Sequence, residues 1–129
     1  MKLQDTILFG LKDIVGRLLA GGKIVIIVGP IATPGFDVTS QYARKSAFGH
    51  DIDIPLYEEK TRFRSRWNQS LTEISHWSGV DLIRPDLIQC SNDRCRYFIN
   101  DVPLFADSTH ITNASNRLFV PLFDSAIKH

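Results

Sequence analysis

Asp107-Ser108-Thr109-His110 places a carboxylate three residues before an imidazole, just ahead of an apolar, helix-like C-terminal stretch. Acyl transfer and ester hydrolysis use this pair when a serine does the attacking. The imidazole takes the serine proton; the carboxylate fixes the ring tautomer and stabilises the imidazolium that forms. The serine itself is not evident. There is no Gly-x-Ser-x-Gly elbow and no Gly-Asp-Ser segment after an N-terminal strand. Ser108 is too close in sequence to meet the far ring nitrogen without strain. A plainer reading competes: Asp and Thr are good N-caps, so this stretch could simply cap the last helix.

Cys90 and Cys95 are the only cysteines, separated by Ser-Asn-Asp-Arg. They are either two unrelated thiols of a reducing compartment or a short disulfide, which needs an oxidising one; the disulfide is the preferred expectation. A metal site lacks two further ligands at a suitable spacing, and no metal or cofactor is expected. Arg62, Arg64 and Arg66, with Arg44 and Lys45 upstream, could face phosphorylated glycan or membrane headgroups. A solvated face balanced by Glu58, Glu59 and Glu73 is the preferred alternative. His50, His76 and His129 stand alone, and Trp67 and Trp77 read as packing residues rather than a sugar platform.

At 129 residues the chain suffices for one domain with a core. With 43% hydrophobic and 22% charged residues it has the composition of an ordinary globular protein. A formal charge of +1 gives no general attraction to nucleic acid, and none is expected as a partner. No apolar run reaches the length of a membrane span, and Asp5 and Asp13 interrupt any signal-peptide pattern. A disulfide without an export signal suggests a segment of a longer exported chain.

The elements that must position the pair follow from periodicity. Leu3, Ile7, Leu8, Leu11, Ile14, Val15 and Leu18 mark one apolar helix face, ended by Gly21-Gly22. Lys23 to Val28 is a continuous β-branched run suited to a parallel strand buried on both faces. The loop Gly29 to Asp37 leaves the end of that strand where open α/β sheets place their ligands. Ser40 to Phe48 could be a short helix. Glu58 to Trp77 is a helix with Phe63, Trp67, Leu71 and Ile74 on its apolar side, and 80–83 is a second parallel strand reached by a right-handed crossover. Asn100-Asp101 suggests a two-residue hairpin turn. Thr112 to Ile127 is the last helix, with Pro121 predicting a kink or a broken start.

The order of these features is recognisable. A hydrophobic strand runs into Val28-Gly29-Pro30-Ile31-Ala32-Thr33-Pro34-Gly35-Phe36-Asp37-Val38. A Cys-x4-Cys loop and a hairpin follow, then Phe105-Ala106-Asp107-Ser108-Thr109-His110-Ile111-Thr112. Over most of the chain this resembles the C-terminal half of the SGNH (GDSL-like) domain fused to bacterial acyltransferase-3 membrane proteins. The resemblance implies an α/β, three-layer sandwich with a parallel sheet of SGNH/flavodoxin-like type. Residues 1–129 would form one partial domain. Asp107 would match the family's triad aspartate and His110 its triad histidine. The family's serine, and its oxyanion glycine and asparagine, belong to earlier blocks. Gly10, Gly16 and Gly21 lack the strand context, and Asn68 and Asn92 lack a Gly-x-Asn-Asp setting.

The function implied is O-acetylation of cell-envelope glycans, lipopolysaccharide or a related polysaccharide, at the periplasmic face of the inner membrane. The partners implied are an acylated glycan or acyl donor and the missing N-terminal half or membrane acyltransferase domain. An ester hydrolase of the same fold, or an inactive remnant or small binding module, are the alternatives. An exposed helix face is expected where missing strands would pack.

Overall fold

The computed structural model describes residues 3–48 and 54–127. Helix α1 (Leu3–Ala20) closes in a left-handed turn at Gly22, where φ is 77°. Lys23 N–H donates to the Leu18 carbonyl and Gly22 N–H to the Leu19 carbonyl, both at 3.0 Å. These two bonds satisfy carbonyls that the helix end would leave open. Strand β1 (Val25–Val28) follows and pairs in parallel with β3 (Val80–Ile83), Val25 opposite Val80 and Val28 opposite Ile83. Between them lie α2 (Val38–Phe48), β2 (Tyr57–Glu59) and α3 (Lys60–Ser75). The expected start of α3 at Glu58 moves to Lys60 because Glu58 and Glu59 pair with the strand that carries Cys95. Phe63, Leu71 and Ile74 bury their side chains, and Trp67 packs half-buried beside them. The chain is thus a mixed α/β structure with a small parallel sheet.

One expectation is corrected. The β-branched run is not buried on both faces: Val25 is buried, whereas Ile24 is 72% and Val28 49% exposed. Among the described residues, β1 has a strand neighbour on one edge only. The apolar face of α1 is likewise mostly uncovered. Leu8 and Val15, two turns apart, bury themselves; Leu3, Ile7, Ile14 and Leu18 remain exposed.

Beyond β3 the chain makes α4 (Asp86–Gln89) and two small hairpins. Strands β4 (Cys90–Ser91) and β5 (Arg94–Arg96) turn at Asn92 and Asp93, with φ of 51° and 64°. Strands β6 (Phe98–Ile99) and β7 (Val102–Pro103) turn at Asn100 and Asp101, with φ of 51° and 61°. Paired left-handed residues give the twist that a two-residue hairpin needs, and Asn and Asp tolerate it. Helix α5 (Asn113–Ile127) runs through Pro121 rather than starting at it. Arg117, whose carbonyl loses its helical donor, is exposed, so water can take the bond.

Cys90 and Cys95 face each other across the first hairpin, 3.9 Å apart at Cα, and are joined as a disulfide. Cys95 is fully buried against Ala32 and Phe63. Closing so short a loop is worth about 2 kcal/mol in the chain-entropy model. Replacing both cysteines by alanine is expected to lower the unfolding free energy by about that amount, read as a lower urea midpoint, with reductant then having no further effect. Equal midpoints for the oxidised protein and the double variant would refute it.

A compact core lies between the hairpins and α5. Val38, Tyr97, Leu104 and Phe105 are buried together, with Ile31, Phe36 and Leu118 against them. The Tyr97 ring meets Phe36 and Phe105 edge-on, at 6.4 and 6.1 Å. Such contacts add to burial, and Phe105 from this core begins the loop that carries Asp107.

Candidate functional site

Phe105 and Ile111 form an antiparallel bridge, and Ala106 N–H donates to the His110 carbonyl at 2.7 Å. Residues 106–110 are therefore a closed loop on a fixed stem. Thr112 N–H donates to the Leu104 carbonyl at 2.8 Å, and the Thr39 hydroxyl of α2 donates to the Phe105 carbonyl. Leu104 and Phe105 have no exposed surface.

Within the loop, Asp107 organises everything else. Its Oδ1 accepts from Thr109 N–H at 2.8 Å and from His110 N–H at 2.7 Å. Its Oδ2 lies 2.9 Å from His110 Nδ1. The His110 backbone N–H, then that of Thr109, and then the His110 side chain and its charge hold the Asp107 carboxyl down at about 2. In the neutral ring, a carboxylate at this distance favours the tautomer with the proton on Nδ1 and leaves Nε2 as the acceptor. Nε2 has no partner among the described residues, and the imidazole is 81% exposed. The ring is thus held from behind and open in front.

The capping alternative is excluded by a different residue. Thr112 Oγ1 accepts from Ser115 N–H at 3.1 Å and donates to the Pro103 carbonyl at 2.8 Å, so Thr112 caps α5. Asp107 is left to its own loop.

Asp37 is a neighbour that the sequence did not single out. It caps α2: Oδ1 accepts from Ser40 N–H at 2.9 Å and Oδ2 from the Ser40 hydroxyl at 2.8 Å. These bonds, backbone first, lower its carboxyl, while burial and the charge of Asp107 oppose them. Two residues on, the Thr39 hydroxyl bonds the Phe105 carbonyl, so the end of the Gly29 to Asp37 segment is tied to the stem of the Asp107 loop. The Asp-x-x-Ser spacing at 37–40 was the available signal. Gly29 allows a close approach: a Cβ would lie 3.2 Å from Leu71 and 3.3 Å from the Ile83 carbonyl, so its neighbours would have to shift by a few tenths of an ångström. On the other side of the loop Val28, Ile31, Ile111, Phe119, Val120 and Phe123 border an apolar recess of about 410 Å³.

No serine hydroxyl among the described residues bonds to His110. Ser115 is buried, donating to the carbonyls of Leu104 and Thr112, and Ser40 is held by Asp37. Of the other candidates, Arg66 is paired to Glu58 through both terminal nitrogens. His76 is exposed; His50 and His129 lie outside the described residues. Among the described residues no cluster of His, Cys, Asp or Glu could hold a metal, and no helix is long and apolar enough to cross a membrane.

The depressed carboxyl has a pH consequence. Asp107 is acidified by folding, so its bonds contribute fully above about pH 4, the unfolded value, and are lost as pH falls through about 2. Carboxyl NMR should give Asp107 a midpoint near 2. An ordinary midpoint would mean that the loop bonds do not persist in solution.

A family model described as SGNH domain (fused to AT3 domains) matches residues 2–125. No curated protein matches the chain, and no solved structure does.

Proposed function

The chain belongs to the family of SGNH domains fused to AT3 domains, and from that membership we propose that Asp107 and His110 are the acid–base half of a serine-dependent acyl-transfer site. The observation that supports this most is the 2.9 Å contact between Asp107 Oδ2 and His110 Nδ1, with Nε2 left open. The serine comes from a segment outside these 129 residues. So do the donors for the oxyanion, and the same segment extends the two-stranded parallel sheet into a three-layer sandwich.

In the assembled site, Nε2 takes the serine proton as Oγ attacks the acyl carbonyl. The imidazolium, stabilised by Asp107, returns that proton to the leaving group as the acyl–serine ester forms. A second hydroxyl then gives its proton to Nε2 as its oxygen attacks the acyl–serine ester, and the imidazolium returns that proton to the departing serine Oγ. We assign that hydroxyl to a cell-envelope glycan, lipopolysaccharide or a related polysaccharide, at the periplasmic face of the inner membrane. The fusion of family members to AT3 domains favours transfer over hydrolysis to water. A specific observation favours one rival, an inactive domain: no described serine meets His110.

The test is acetyl-ester turnover and acetyl transfer to a polysaccharide. It is run on the chain alone and on the chain co-expressed with the Gly-Asp-Ser-bearing segment of another family member. His110-dependent turnover only in the second sample supports the proposal. His110-dependent turnover by the chain alone would place the nucleophile within it, and none in either sample would favour the inactive reading.

A further inference from the structure

On β5 the order Arg94, Cys95, Arg96 buries the cysteine and turns both arginines to the opposite face. β2 runs antiparallel beside it, with Tyr57 opposite Arg96 and Glu59 opposite Arg94. The Arg94 guanidinium stacks over the Tyr57 ring, 4.4 Å from its centre. Arg62 of α3 and Phe98 of β6 complete the wall, and the exposed Leu56 adds apolar surface. Together they line a basin of about 740 Å³.

Among the described residues the charge in this basin is only partly cancelled, although Glu58 and Glu59 also line it. Glu58 is already held by both terminal nitrogens of Arg66. None of Arg62, Arg94 and Arg96 forms an ion pair among the described residues. Glu59 is the carboxylate that shares the arginine face of the strand pair. Three guanidiniums therefore converge on one open concavity. Stacking on Tyr57 fixes the plane of Arg94 while its N–H edge stays free, which pre-organises the fork that binds phosphate or carboxylate.

We propose that this basin binds a phosphorylated saccharide. A phosphate accepts hydrogen bonds from the Arg94, Arg96 and Arg62 guanidiniums. The apolar face of the sugar ring lies against Phe98 and Leu56, and the hydroxyl rim faces water. Inorganic phosphate would leave that apolar half unused, and a neutral sugar would leave the guanidiniums unused. The site shares no residue with the Asp107–His110 loop and does not rest on the acyl-transfer reading.

Titration of the ¹⁵N-labelled chain with glucose 1-phosphate, inorganic phosphate, glucose, glucuronate and adenosine monophosphate tests it. Glucose 1-phosphate should shift the Arg94 and Arg96 side-chain signals and bind about tenfold more tightly than inorganic phosphate, while glucose does not bind. Affinity should fall with salt. Arg94→Ala and Arg96→Ala should each weaken it about tenfold or more. Arg96→Lys, which keeps the charge and the strand but loses the fork, should fall between. Arg17→Ala on α1 should have no effect. Equal binding of phosphate and glucose 1-phosphate would overturn the saccharide. Tighter binding of the nucleotide, or of glucuronate, would replace it with another ligand. Unchanged affinity in both alanine variants, or no shift at millimolar ligand, would overturn the site.

Discussion

Replacing His110 with alanine is expected to leave acetyl-ester turnover by the 129-residue chain at its background rate. Once the serine-bearing segment is supplied, the same change is expected to cut turnover by about 10⁶-fold. The two halves of this expectation have one cause. Nε2 meets no hydroxyl among the described residues, so the pair has no proton to take until a serine arrives. Asp107→Asn provides the finer measurement. An asparagine carbonyl can still accept from the Thr109 and His110 N–H groups, which now meet Oδ1 at 2.8 and 2.7 Å. The loop should keep its shape. What fails is the ring tautomer, because the side chain that faces Nδ1 is no longer an anion, and a loss of about 10⁴-fold follows. Both variants should fold alike, since the imidazole is 81% exposed. Equal losses for the two, or a melting shift that accounts for either, would argue that the loop is structural only.

The sequence made this loop legible because its information is local. A carboxylate three residues from an imidazole can meet it within one turn, and Asp107 and His110 do. The strands at 25–28 and 80–83 were legible for a similar reason: the first is a β-branched run between Gly22 and Gly29, the second a short, mostly apolar run opened by Gly79 and closed by Pro85, and a helix lies between them. Asn100-Asp101 announced its hairpin, and Asn92-Asp93 carries the same dipeptide with the same left-handed φ values. The second was obscured because the cysteines on its two strands drew attention to a loop.

Burial was less legible, because it depends on what else is present. The α1 pattern is a sound helical face, yet Leu3, Ile7, Ile14 and Leu18 stay exposed. Periodicity states which residues would pack together, not whether a layer arrives to cover them. The arginines show the same limit. Spacing grouped Arg62, Arg64 and Arg66 on one helix. The fold pairs Arg66 with Glu58 and joins Arg62 to Arg94 and Arg96, more than thirty residues away. Such groupings are tertiary, and no window along the chain contains them.

Gln89→Leu is expected to cost at least about 3 kcal/mol of stability, the largest loss anticipated for any change of near-constant size in this chain. Gln89 is a polar side chain with no exposed surface. Its Oε1 accepts from the Ala32 N–H at 2.7 Å. Its Nε2 donates to the carbonyls of Ala32 at 2.8 Å and Arg96 at 3.1 Å. The amide thus acts as one more peptide unit between the loop after β1 and the strand β5. Leucine fills similar space but leaves the buried N–H and carbonyl of Ala32 without this partner, at about 1–3 kcal/mol each, and removes the part-buried bond to the Arg96 carbonyl as well. Against a total of 5–15 kcal/mol for a typical domain, this is a large fraction. The urea midpoint should fall with its slope unchanged, as it does when stability rather than the unfolded state is altered. Gln89→Glu should be no better, since a carboxylate cannot donate to either carbonyl and would be buried without a counter-charge. The consequence should extend to His110. Ala32 lies on the segment that leads to Asp37 and Thr39, and Thr39 holds the Phe105 carbonyl at the stem of the Asp107 loop. In the leucine variant the Asp107 carboxyl should therefore titrate closer to its ordinary value before the protein unfolds. An unchanged midpoint and an unchanged Asp107 titration would together show that Gln89 does not hold this segment.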